Sequence, residues 1–95
     1  MTMMLTRMEE IFHREGFWIE VTRNGKALTN MRQLRKSGVL NSYDFKKKAK
    51  GTWTVDRWKR DRFEAVNSNY SCNVLKGDGK VAAAQTTLNT VRDSY

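Results

Sequence analysis

Phe17-Trp18-Ile19-Glu20-Val21-Thr22-Arg23-Asn24-Gly25-Lys26-Ala27-Leu28 is the stretch that decides the fold. Phe17, Ile19 and Val21 alternate with Trp18, Glu20 and Thr22, and a period of two makes a strand with one buried face. Asn24-Gly25 is the preferred pair for a two-residue type I′ turn, in which both central residues need positive φ. Residues 26–28 are therefore expected to return antiparallel. A lone hairpin is marginal in water, so this one needs partners.

The flanks supply them. Upstream, Met4 or Leu5, Met8, Ile11 and Phe12 recur at helical spacing and predict a helix over 3–15. Thr6 with Glu9 fits a capping box, and Gly16 is a natural stop. Downstream, Asn30 can cap a short helix through Met31 and Leu34 that ends at Gly38. The second half runs through the same order. A helix over 53–66 precedes alternating Tyr70, Cys72 and Val74, a turn at Asp78-Gly79, a return over 80–83, and a short helix capped by Thr87 through Leu88 and Val91. Residues 29–37 align with 86–94, with Thr, Arg and Ser coinciding and both apolar positions kept.

The expected class is α+β: two β-hairpins form a small antiparallel sheet, with helices packed on one face. Residues 1–95 are expected to be a single domain, since this length leaves room for one core. The repeated order fits a duplicated helix-hairpin-helix unit, 1–38 and 53–95, joined by a basic connector over 39–52. A helical turn in the connector, starting at Ser42 or Asp44, would face Phe45 and Ala49 inward.

Three Trp, four Phe and three Tyr give a composition too aromatic for a disordered tail. Cys72 stands alone, which forbids an intrachain disulfide and points to a reducing, cytoplasmic setting. Residues 1–14 lack the features of a signal peptide, and no stretch reaches the roughly 18–20 apolar residues that cross a bilayer. Metal binding fails by inventory: His13 and Cys72 are single, against the four or so ligands of a structural zinc site. His13 is expected to be a partly exposed structural residue and Cys72 an inward strand residue. Gly77-Asp78-Gly79 lacks the longer loop and the Lys-Ser/Thr pair of a phosphate cradle, so it is a turn. The ten acids are scattered among bases, with no converging pair of carboxylates. No enzyme and no cofactor are expected.

Charge carries the functional signal. Residues 1–30 and 63–95 are each neutral overall, and residues 31–62 hold the whole net charge of +8. Such a block between neutral flanks is the footprint expected of a surface that neutralises phosphates and releases their counterions. A solvated segment that only aids solubility is the plainer alternative. Lys46, Lys47, Lys48 and Lys50 run into Trp53, which either stacks on a base or sugar or starts the next helix from the core. Arg32, Arg35 and Lys36 add to the phosphate-contacting set, with Arg57 and Arg60 on the following helix.

That helix, residues 54–63, locally resembles the recognition helix of helix-turn-helix proteins, and residues 70–81 resemble the wing that sometimes follows. The resemblance implies an element lying in the DNA major groove. The turn over 51–54 is two residues shorter than the family's usual spacing. At 100° per residue, Val55, Trp58, Ala65 and Val66 share the inner face. The outer face mixes Arg57 and Arg60 with Asp56, Asp61 and Glu64, spaced for Arg57–Asp61 and Arg60–Glu64 pairs. Phosphate contact is thus expected more than base readout, with DNA ahead of RNA as ligand. The competing expectation is a protein-interaction module or inhibitor docking on an acidic partner, for which an outward Trp18 is the main support. No membrane partner is expected.

Overall fold

Residues 18–23 form the central strand of the sheet, one face buried as their alternation requires, and buried Phe17 leads into it. A computed structural model describes residues 4–23, 25–27, 41, 43–68 and 70–95. Helix α1 (Met4–Glu15) leads into β1 (Trp18–Arg23) and β2 (Lys26–Ala27). Helix α2 (Val55–Trp58) continues directly as a π-helical stretch (Lys59–Glu64), followed by β3 (Ser71–Leu75) and α3 (Leu88–Asp93). Among the described residues the sheet is antiparallel, in the order β2-β1-β3. The α+β class is as expected.

Register explains the core. Ile19 lies opposite Val74 and Val21 opposite Cys72, so four apolar side chains share one face, and all are buried. They join Ile11, Phe17, Val55, Trp58, Phe63, Leu88 and Val91 in a single cluster. The other face pairs Glu20 with Asn73, whose amide donates to the glutamate at 3.1 Å. Trp18 also lies there, but it is only half-exposed: Phe12 of α1 stacks on it at 4.5 Å, and Phe12 meets Tyr95 edge-on. The tryptophan expected to face a protein partner is therefore used in internal packing. The Tyr95 hydroxyl accepts from the Trp18 N–H at 2.8 Å and donates to the Leu75 carbonyl at 2.6 Å, tying that end of the sheet.

Local signals held at several points. α1 ends at Gly16, whose N–H bonds to the Phe12 carbonyl at 2.8 Å. In the first hairpin Thr22 pairs with Ala27 and Arg23 with Lys26, and Gly25 takes φ +78°, the left-handed conformation that glycine tolerates best. Thr54 caps α2 and Thr87 caps α3, each accepting the N–H three residues on. Thr6 does not cap α1, because the helix already includes Met4 and places the threonine within it. Residues 28–40, with the predicted helix over 30–38 and the first copy of the aligned segment, lie outside the described residues, as does Asn24.

The second predicted hairpin is reduced to one bridge, Leu75 to Val81, supported by the Ala82 N–H to the Val74 carbonyl at 2.8 Å. The chain then leaves the sheet because its next carbonyls are used elsewhere. Thr86 accepts from the Val55 N–H at 2.8 Å and Ala84 from the Asp56 N–H at 3.0 Å. In return the Leu88 N–H bonds to the Trp53 carbonyl at 2.9 Å and the Asn89 N–H to Gly51 at 2.9 Å. Thr54 and Thr87 themselves bridge antiparallel. Each helix start thus satisfies the first two N–H groups of the other, which have no partner within their own helix.

The π-helical stretch shifts the inner face of the central helix. Its i→i+5 bonding brings residues five apart to the same side. Phe63 follows Trp58 into the core, the two rings 6.3 Å apart, while Ala65 is exposed and Val66 only half-buried. The wheel drawn at 100° per residue placed Ala65 and Val66 inside; the wider turn replaces them with Phe63 and, beyond it, buried Asn67.

Candidate nucleic-acid interface

The basic connector is held from beneath by one buried carboxylate. Glu15, in the last turn of α1, is fully buried. Its Oε1 accepts from the Ala49 N–H and from Arg92 Nη2, both at 2.9 Å. Its Oε2 accepts from the Tyr43 hydroxyl and from Arg62 Nη1, the latter at 2.9 Å. An unpaired buried carboxylate would be very costly, whereas one with two guanidinium partners and satisfied lone pairs is tolerated. The same arginines grip backbone. Arg92 donates to the carbonyls of Glu15 and Ala49 at 2.6 and 2.9 Å, and Arg62 donates to that of Lys47 at 2.6 Å. Tyr43 also accepts from Trp58 Nε1 at 3.1 Å. Burial and the glutamate beside it push the Tyr43 hydroxyl above its ordinary value of 10.0, so it stays a donor.

Because the connector bonds inward at Lys47 and Ala49, its lysine side chains are left outside. Ala49 is buried, as expected, and Lys46, Lys47, Lys48 and Lys50 are all exposed. Among the described residues none of these four has an ion-pair partner. The expected helical turn is absent from residues 43–50, where the backbone of Lys47 and Ala49 bonds to the glutamate and the two arginines instead. Without a helix in those residues, the helix before the turn that a helix-turn-helix needs is not formed there.

Beside the lysines lies a stack of rings and guanidinium groups. Arg57 sits over Trp53, 4.3 Å from the ring centre, and Arg62 lies 4.5 Å from Phe45 and 5.5 Å from Trp53. Tyr43 meets Phe45 at 5.0 Å. Trp53 is half-buried and packs partly on the core. Arg57 and Arg60 are exposed but share Asp61, at 3.5 and 3.1 Å. Arg60 and then Arg57 hold that carboxyl below its usual range. The Arg57–Asp61 pair was expected. The Arg60–Glu64 pair is not formed, since Glu64 accepts from Ser71 of β3 at 2.6 Å. Arg32, Arg35 and Lys36 lie outside the described residues.

Four residues of this arrangement escaped the sequence: Glu15, Tyr43, Arg62 and Arg92. One signal was present. Glu15 falls in line with Met8 and Ile11 on the apolar stripe of α1, and a charge on such a stripe implies a buried partner. Nothing local names Arg92, which is far away in sequence. Next to the connector, a cleft of about 390 Å³ is lined by Arg7, Glu10, His13, Arg14, Tyr43 and Asp44. The N-terminal third, neutral overall, thus places Arg7 and Arg14 beside the basic block. Arg7 is paired with Glu10, at 2.7 and 2.9 Å, and His13 is exposed against Phe12. Among the described residues no group of His, Cys, Asp and Glu is placed to hold a metal ion, and no helix is long and apolar enough to cross a membrane. Compared with known protein families, characterised proteins and solved structures, the chain gives no match.

Proposed function

We propose that the protein binds nucleic acid through its connector, gripping phosphates with Lys46, Lys47, Lys48 and Lys50 and, at the edge of the same surface, Arg57 and Arg60. One observation carries this: four exposed lysines without acidic partners among the described residues sit on a backbone fixed to a buried carboxylate. A fixed cationic loop loses little freedom on meeting a polyanion, and the counterions it displaces drive association. Arg57 and Arg60 contribute less, since Asp61 already offsets part of their charge. The half-covered Trp18 removes the main support for a protein-docking module.

The test is a salt titration of binding with all four lysines changed to Gln. Affinity should fall for every sequence, and the slope of log K against log salt should flatten by roughly 0.7–0.9 for each phosphate no longer neutralised, about 3 to 4 in all. Arg23→Gln with Lys26→Gln, on the β1–β2 hairpin, is the control; Arg7 and Arg14 are unsuitable because they line the cleft beside the connector. Equal reductions from both sets would mean a diffuse attraction to total charge. No binding by the parent protein at about 50 mM salt would refute the proposal.

A further inference from the structure

We infer that the connector surface takes double-stranded nucleic acid by its sugar–phosphate backbone and offers no base a ring to stack on. The inference rests on the nucleic-acid proposal above and narrows its ligand. Proteins that hold single strands need aromatic faces open to the bases as well as positive charge. In this block the charge is present but the rings are taken. Trp58 and Phe63 are buried in the core. Tyr43 packs against the core with its hydroxyl on Glu15. Phe45 lies against Tyr43 and under Arg62. Trp53, the ring nearest the lysines in sequence, packs on the core and lies under Arg57 at 4.3 Å.

Releasing Trp53 to a base would mean lifting Arg57 off its face and disturbing a guanidinium also drawn to Asp61. A cation over an indole is a favourable arrangement that an entering base would first have to displace. A duplex asks for nothing of the kind: its bases are already stacked, and it presents about one negative charge per 1.7 Å of axis. The exposed lysines match that ligand.

The experiment measures binding of the whole protein at about 50 mM salt to four probes of equal length: a DNA duplex, an RNA duplex, a thymidine single strand, and a single strand of abasic sugar-phosphate units. At least one duplex should bind about tenfold more tightly than the thymidine strand, as its charge density implies, and the tighter duplex identifies the source. The abasic strand should bind within about twofold of the thymidine strand, whereas a stacking surface weakens about 5- to 150-fold for each base removed. A tighter single strand, or a large drop on removing the bases, overturns the inference while leaving the nucleic-acid proposal in place. Failure of all four probes overturns both. Trp53→Leu adds a second measure: duplex affinity should hold within about threefold, and a loss of single-strand binding confined to this variant would show that the ring is a base platform after all.

Discussion

Glu15→Gln should be among the most damaging conservative changes in the chain. The glutamine keeps the shape but removes the negative charge and turns one acceptor into a donor, which must then face one pair of donors: Ala49 N–H with Arg92, or Tyr43 with Arg62. Both arginines are mostly covered, their side chains 16% and 14% exposed, so water cannot fully replace the missing partner. Breaking a buried pair by removing one side costs about 3–5 kcal/mol. A domain of this length is stable by about 5–14 kcal/mol in total, so the change takes a large share. At about 4–8 °C per kcal/mol the thermal midpoint should fall by roughly 12–40 °C. Urea unfolding followed by tryptophan fluorescence measures the destabilisation directly, and Glu9→Gln, at an exposed position on the same helix, should shift stability by about 0.5 kcal/mol or less. A destabilisation below about 1 kcal/mol for Glu15→Gln would place the network among weak surface ion pairs. It would also refute the claim that this carboxylate fixes the connector.

Two further outcomes are expected. A Cβ at Gly77 would lie 2.0 Å from the Ser94 carbonyl oxygen, so Gly77→Ala should push the turn after β3 off α3. The cost should be about 1–3 kcal/mol in a urea titration, and an unchanged midpoint would mean that this close approach yields freely. Stability should also fall in alkali. Burial raises the Cys72 thiol above its ordinary 9.0 and, with Glu15, the Tyr43 hydroxyl above 10.0, so the folded chain keeps protons that the unfolded chain releases. Their contribution is therefore complete below about pH 9 and declines as pH rises beyond it. Stability that is level from pH 8 to 11 would contradict this, as would rapid alkylation of Cys72 in the native protein at pH 8.

What could be seen in the sequence was what depends on neighbours. The stop at Gly16, the alternation of Ile19 and Val21, the cap at Thr87 and the inward Cys72 are each set within a few residues. Phe63, by contrast, entered the core through a widened helical turn, and no propensity marks where an α-helix loosens into a π-helix. The charge network was hidden for a different reason. Arg62 and Arg92 look like solvent-facing bases until the fold brings them to Glu15, 47 and 77 residues away in sequence. Counting charge by segment found the exposed lysines of the connector, yet the same count includes Arg62, which is turned inward onto Glu15 and the Lys47 carbonyl.

The reciprocal pairing of the two helix starts has a consequence for how the chain folds. α3, and α2 with the π-helical stretch that continues it, are both shorter than the 12–15 residues or so at which an isolated helix becomes even marginal in water. In the folded chain each start leans on the other, the Val55 and Asp56 amides bonding to Thr86 and Ala84 and the Leu88 and Asn89 amides to Trp53 and Gly51. That exchange requires the loop between Thr54 and Thr87 to close, and loop closure carries an entropic cost. The segment most able to draw those ends together is β3, which lies inside the loop and docks on β1. The two helix starts are therefore coupled: whatever separates one of them from its partner strips the same amides of the other.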